Sequence, residues 1–169
     1  MNSKKRPKLK IPLTWKDRTL ILISTVPIVF VIIYLKISWS SIPEIIPTHF
    51  NFSGVPDSFG KKTSLFGIIG LSVGMHLLLS VLSKVPRCYN YPVSVTEKNV
   101  EALYKVGRQL MLLIDFEISY MLSILTWESI QTAMGKMTGV GGGMMVAIIG
   151  IMFATIIYGI IRMIKAQGQ

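Results

Sequence analysis

Three stretches of the chain, residues 19–35, 63–83 and 137–161, carry no Lys, Arg, Asp or Glu. A helix rises about 1.5 Å per residue, so crossing a ~30 Å hydrocarbon layer takes roughly 17–25 apolar residues. All three runs fall in that range. In lipid every backbone polar group must be satisfied within the segment itself, which leaves a helix as the structure for each run. A fourth window, 109–127, is apolar except for Asp115 and Glu117. The expectation is an all-α membrane protein with four transmembrane helices, at about 19–37, 63–83, 109–130 and 143–162. They form one domain over 19–165, preceded by a basic tail over 1–18. Composition agrees: 15% of residues are charged, where a soluble domain carries about a quarter.

Charge sets the expected orientation. Lys4, Lys5, Arg6, Lys8, Lys10, Lys16 and Arg18 precede the first span. Lys84, Arg87, Lys98, Lys105 and Arg108 separate the second from the third, and Arg162 and Lys165 follow the fourth. Only Lys36, Lys61, Lys62 and Lys136 fall on the other side. Short loops rich in Lys and Arg stay in the cytoplasm, so both termini are expected inside. Trp15, Trp39 and Trp127 sit at predicted helix ends, where interfacial aromatics gather. Topology and anionic lipid headgroups account for the net charge of +10, so no nucleic-acid partner is expected. The first apolar run is longer than the core of a typical signal peptide, so cleavage is not expected. Cys88 has no second cysteine to pair with and is expected in the cytoplasm.

The connecting segments carry local signals. In "SVTE", Ser94 can cap a helix while Glu97 reaches back to it. Val100, Leu103, Val106 and Leu110 then recur on one face, predicting an amphipathic helix that runs into the third span; Gly107 interrupts it. Gly67, Gly70 and Gly74 form one stripe on the second span. Gly143, Ala147, Gly150 and Ala154 form another on the fourth. Such stripes are expected contact faces, since small residues let helices approach. "GVGGG" at 139–143 lacks the lysine ending of a phosphate loop.

Polar residues within the spans share one layer. At 1.5 Å per residue, Thr25, His76, Asp115, Glu117 and Tyr158 all lie roughly 8–13 Å from the basic side. Asp115 and Glu117 point to nearly opposite faces, so one carboxylate at most meets His76. Asp115 is preferred, because Ser119, Ser123 and Thr126 continue its stripe. Ionisable groups at this depth suggest a proton or ion relay; a polar clasp that fixes helix register is the other reading.

The loop between the first two spans reads "IPTHFNFSGVPDSFGKK". Asn51 to Gly54 and Pro56 to Gly60 are expected turns, giving a compact loop that holds His49, Asn51 and Asp57 together. One His and one Asp are too few for zinc, and no metal or cofactor is expected. This stretch resembles the P-x-H-F-N-x-x-G-x-x-D loop of a bacterial membrane family of unknown function that includes SdpI-type immunity proteins. Pro47, His49, Phe50, Asn51, Gly54 and Asp57 carry the resemblance. "VPRCYNYPVSVTEKNVEALYKVGRQLM" is similar to that family's second segment, through Pro86, Arg87, Asn90, Tyr91, Glu97 and Asn99. SdpI-type proteins carry a further membrane portion after this domain.

The resemblance implies a non-enzymatic protein of the bacterial cell membrane, engaged in immunity or sensing. It would dock an exported peptide or envelope signal on the outer loop and engage a regulator through the cytoplasmic motif. The alternative is a small transport or ion-handling component built on the polar layer. An intramembrane hydrolase is disfavoured by the lack of H-E-x-x-H and G-x-S-x-G motifs. Topology is directly testable. A cysteine placed at Ser53 in a Cys88→Ser background should react with an impermeant thiol reagent on whole cells, and native Cys88 should not. The opposite labelling pattern would invert the orientation.

Overall fold

The computed structural model describes residues 6–168; Lys4 and Lys5 of the basic tail lie outside them. Four helices, α1 (Trp15–Ser38), α2 (Leu65–Leu82), α3 (Val100–Ala133) and α4 (Gly142–Lys165), are long and apolar enough to cross a membrane. The chain is therefore a multi-pass membrane protein by length and composition of its helices. α1 begins earlier than its apolar run because Thr14 and Asp17 form a capping box. The Thr14 amide donates to Asp17 Oδ2 at 2.8 Å, and the Asp17 amide to Thr14 Oγ1 at 3.2 Å.

α3 is the axis of the bundle. With 34 residues it is about 51 Å long, more than a bilayer core needs. α1, α2 and α4 all pack against it, and α1 and α2 touch each other more lightly. Apolar clusters close the two ends. At the basic end Val95, Val100, Leu103, Tyr104, Val106, Met163 and Ala166 pack together. At the other end Leu35, Ile42, Ile46, Leu65 and Ile130 do the same. Between these ends the buried face mixes apolar Ile28, Val31, Leu112 and Leu122 with polar Ser24, Ser72, His76, Asp115, Ser119, Ser123 and Thr126. Large apolar side chains such as Phe30, Leu78, Phe153 and Ile157 point outward. That distribution suits lipid, where polar and small residues join helices and apolar ones face the solvent.

Several local expectations are corrected. The segment after Asn51–Gly54 is not a second turn. Pro56–Lys61 is strand β2, paired antiparallel with β1 (Ile45–Phe50), so a two-stranded hairpin accompanies the helices. Pro47 and Pro56 fit a ladder this narrow because each strand has a free edge. Ser94 does not cap a helix. α3 starts at Val100 after Asn99, whose Oδ1 accepts from the Thr96 amide at 2.8 Å while its Nδ2 donates to the Ser94 carbonyl. That local bonding competes with an earlier helix start. α3 then runs unbroken through Gly107. A side chain there would meet the Tyr91 hydroxyl at 2.8 Å and the Tyr89 ring at 3.0 Å, so the glycine admits two tyrosines onto the helix. The stripes of small residues are not contact faces within the chain. A Cβ on Gly67, Gly70, Gly74, Gly143 or Gly150 would meet nothing within 4 Å, and Ala147 and Ala154 are exposed.

The hairpin is fixed at both its ends. At its base Lys62 bonds Glu44 at 2.9 Å and the Ile42 carbonyl at 3.3 Å, with its ammonium 4.7 Å from the Trp39 ring centre. At its tip the Gly54 carbonyl accepts from the Val140 amide at 2.9 Å, joining the hairpin to the α3–α4 loop. Gly54 has φ +81°, and a Cβ there would lie 2.0 Å from the Val140 oxygen. Buried Glu128 holds the other side of that loop by accepting from the Gly141 amide at 3.1 Å. Gly54→Ala should therefore cost about 1–3 kcal/mol through its backbone conformation alone, with the lost loop contact added. A detergent thermal-unfolding measurement that finds the variant as stable as wild type would contradict this interlock.

Candidate functional site

The polar layer is built on three helices. His76 of α2 places Nδ1 at 3.1 Å from both carboxylate oxygens of Asp115 on α3. Its Nε2 lies 3.0 Å from Thr25 Oγ1 on α1. Ser80 donates to Asp115 Oδ2 at 3.3 Å and Ser119 to Oδ1 at 3.5 Å. Asp115 is 1% exposed and His76 9%. One turn along from this pair lie Ser72 on α2 and Ser119 on α3, with Ser123 a further turn on. The Ser72 and Ser123 hydroxyls are buried without a hydrogen-bond partner, which extends the polar face beyond the dyad.

The proton count of this site is not fixed by its geometry. Thr25 Oγ1 also lies 2.9 Å from the Ile21 carbonyl, as a donor. If it donates there, Nε2–H donates to Thr25. The contact between Nδ1 and Asp115 then needs one further proton, on the ring or on the carboxyl. If Thr25 instead donates to Nε2, Nδ1–H donates to an ionised Asp115. The same heavy-atom positions thus accommodate two proton inventories.

Two residues of the expected layer lie elsewhere. Glu117 points away from His76 and accepts from Thr155 of α4 at 2.5 Å, and its second oxygen is buried without a partner. Tyr158 is 59% exposed, with the Arg162 guanidinium 5.9 Å from the ring centre. The cause is the position of α4, which lies on a different side of α3 from the face that meets His76.

On the hairpin, His49 Nδ1 and Asp57 Oδ1 are 2.5 Å apart, with side chains 69% and 42% exposed. Register shifts on either side of His49 bring the pair together, since Asp57 has no direct partner on β1. Asn51 Oδ1 accepts from the amides of Ser53 and Val55, each at 3.0 Å, and so builds the turn. Pro47 is buried in the hairpin base. The loop residues thus divide. Pro47, Asn51 and Gly54 form the scaffold, while His49 and Asp57 are presented. Beside them lies a groove of about 320 Å³ between the hairpin, α3 and α4, with Phe50, Asn51, Leu125, Met145 and Ile149 among its walls.

The basic-end motif is mostly architecture. Arg87 Nε donates to the Arg6 carbonyl at 3.2 Å, and the Arg6 guanidinium donates to the carbonyls of Arg87 and Tyr89. The Tyr91 hydroxyl donates to the Pro86 carbonyl at 2.9 Å, and that of Tyr89 to Leu82 at 2.8 Å. Burial pushes both phenols well above the ordinary tyrosine range; Tyr89 and Tyr104 reinforce this at Tyr91, while nearby arginines oppose it. Both therefore remain donors at any physiological pH. Asn99 is buried, whereas Asn90 and Glu97 are exposed.

Three residues that carry structural weight were not singled out in the sequence. Arg108, counted there as one charge among many, is 3% exposed. It donates to the carbonyls of Ser83, Pro12 and Ile11 at 3.0, 2.9 and 2.7 Å and lies 3.6 Å from buried Asp17. Asp17 was detectable as the lone acid within the basic N-terminal segment. Glu128, beside Trp127 at the far end of α3, was detectable as an acid bordering a span.

Residues 26–73 match the model of a family described as a domain of unknown function (DUF1648). They take in the second half of α1, the whole hairpin and the first half of α2. The chain is also similar to an uncharacterized protein of Archaeoglobus fulgidus, at 26% identity over 89 residues, covering 48% of this chain and 49% of that protein. The chain spans about half the length of the curated relative it matches. No solved structure matches it. The family match thus includes the segment that presents His49 and Asp57.

Proposed function

We propose that this is a non-enzymatic membrane protein of SdpI-like type that recognises an exported peptide or envelope signal with its hairpin, the basic end lying in the cytoplasm. The observation that carries the reading is the groove beside His49. Its walls are mostly apolar side chains of the hairpin and α4, and His49, Asn51 and exposed Phe52 also line it. An apolar trough with a few polar rim groups suits a short amphipathic segment arriving along the membrane surface. The hairpin tip is held rigidly against the α3–α4 loop, so little ordering cost falls on binding. The charge asymmetry supports the orientation. At the basic end, exposed Asn90 and Glu97 are the residues available to a cytoplasmic regulator.

The test fills the groove from α4, away from the hairpin. Ile149→Trp should leave membrane abundance unchanged and lower protection against, or binding of, sibling exported peptides by roughly tenfold, the loss typical of a disrupted central contact. His49→Ala and Asp57→Ala should act in the same direction. Full activity in Ile149→Trp would remove the groove from the mechanism.

The His76–Asp115–Thr25 cluster favours a second reading, a proton- or ion-handling component. In proteoliposomes, an imposed pH gradient should then drive a flux through wild type that His76→Gln abolishes. Equal fluxes in wild type, variant and empty vesicles would leave the cluster as a clasp between α1, α2 and α3.

A further inference from the structure

At the basic end, an open groove of about 330 Å³ runs along α3 and α4, lined by Ala102, Lys105, Val106, Gln109, Arg162 and Lys165. We infer that this groove binds the phosphate headgroup of an anionic phospholipid from the adjoining leaflet. The site is independent of the hairpin and of the His76 cluster.

The argument starts from charge. Lys105, Arg162 and Lys165 converge on one groove. Lys105 already bonds Glu101 at 2.6 Å. No carboxylate among the described residues pairs with Arg162 or Lys165. Arg162 is nevertheless held in place. Its Nη1 donates to Gln109 Oε1 at 2.9 Å and its guanidinium lies 5.9 Å from the Tyr158 ring centre. That leaves its other nitrogens free to donate to a phosphate, which guanidinium recognises through paired N–H groups. Lys165, one turn apart on the same helix, adds a second positive point charge.

The surroundings favour a lipid over a free anion. Toward the membrane the groove continues as a crevice along Leu110, Leu113 and Tyr158. α3 and α4 come closest just there, where a Cβ on Gly159 would lie 2.7 Å from Leu110. Beyond that contact Met163 and Ala166 keep α4 packed on α3, and the cations line the open flank of this seam; on the membrane side Leu110 and Leu113 line it together with Thr155 and Tyr158. A headgroup at Arg162 and Lys165 thus places its acyl chains on the apolar side. Basic pockets between transmembrane helices are the setting in which anionic headgroups are held.

Native mass spectrometry of the purified full chain in detergent tests this. Phosphatidylglycerol should be retained at roughly tenfold lower concentration than phosphatidylcholine, given the contribution of two or three nearby cations. Arg162→Gln/Lys165→Gln should lose that preference, and Lys8→Gln/Lys10→Gln, which removes two exposed charges from the basic tail, should keep it. Should the double variant fold poorly, Lys165→Glu serves in its place, since that side chain is exposed and bonds nothing among the described residues. Equal losses in the tail variant and the groove variant would mean diffuse surface charge and overturn the site. Displacement of the lipid by millimolar inorganic phosphate would mean a simple anion site and overturn the lipid assignment. Unchanged preference in Lys165→Glu would do so as well.

Discussion

Arg108 satisfies three backbone carbonyls that no helix can satisfy for itself. The Ser83 oxygen lies at the end of α2, and those of Ile11 and Pro12 lie in the non-helical segment before α1. Asp17, already fixed by its capping box, balances the charge. A buried guanidinium is costly unless its donors are all used, and here the donors run to α1, α2 and the N-terminal segment at once. Breaking the arrangement would leave buried carbonyls without this donor and the buried Asp17 carboxylate without its countercharge. The basic end therefore behaves as one unit, and it sets the height of α2 relative to α3. That relative height is what brings His76 level with Asp115.

The opposite end is fixed by backbone rather than by charge. Gly54 and Val140 join the hairpin to the α3–α4 loop, and Glu128 secures the same loop from α3. α4 packs chiefly on α3, so this junction is the second tie that positions it. The groove beside His49 exists because of it, as one wall is hairpin and the other is α4. Sites with rigid walls bind with less loss of conformational freedom, and the binding proposed for this groove would draw on that rigidity.

Between the two ends the helices bury hydroxyls beside apolar side chains and turn other large apolar side chains outward. Serines 24, 72, 119 and 123 are buried while Phe30, Phe153 and Ile157 are exposed. Small hydroxyl-bearing residues allow α1, α2 and α3 to approach closely, and the hydrogen bonds between these helices come from Thr25, His76, Ser80 and Asp115. The same layer that fastens the helices thus also places a carboxylate, an imidazole and a threonine in contact, and the structural and chemical roles of those residues share one geometry.

The sequence by itself determined the class of structure. Uncharged runs of membrane-spanning length admit little but helices, and a two-residue offset on a helix sends Asp115 and Glu117 to different faces whatever the packing. It also marked the depth at which His76, Asp115 and Thr25 would sit, since rise per residue is fixed. What it left open depends on contacts between distant segments. Nothing local in Arg108 separates a charge that orients the chain from one that binds Ile11, Pro12 and Ser83. Nothing in the glycine stripes says whether they meet a helix or lipid. The strand at Pro56–Lys61 carries turn-forming residues and becomes a strand because β1 lies beside it. Tyr158 shares a depth with His76 but lies on the exposed side of α4, because depth is a property of position along a helix and direction is a property of the partner it packs against.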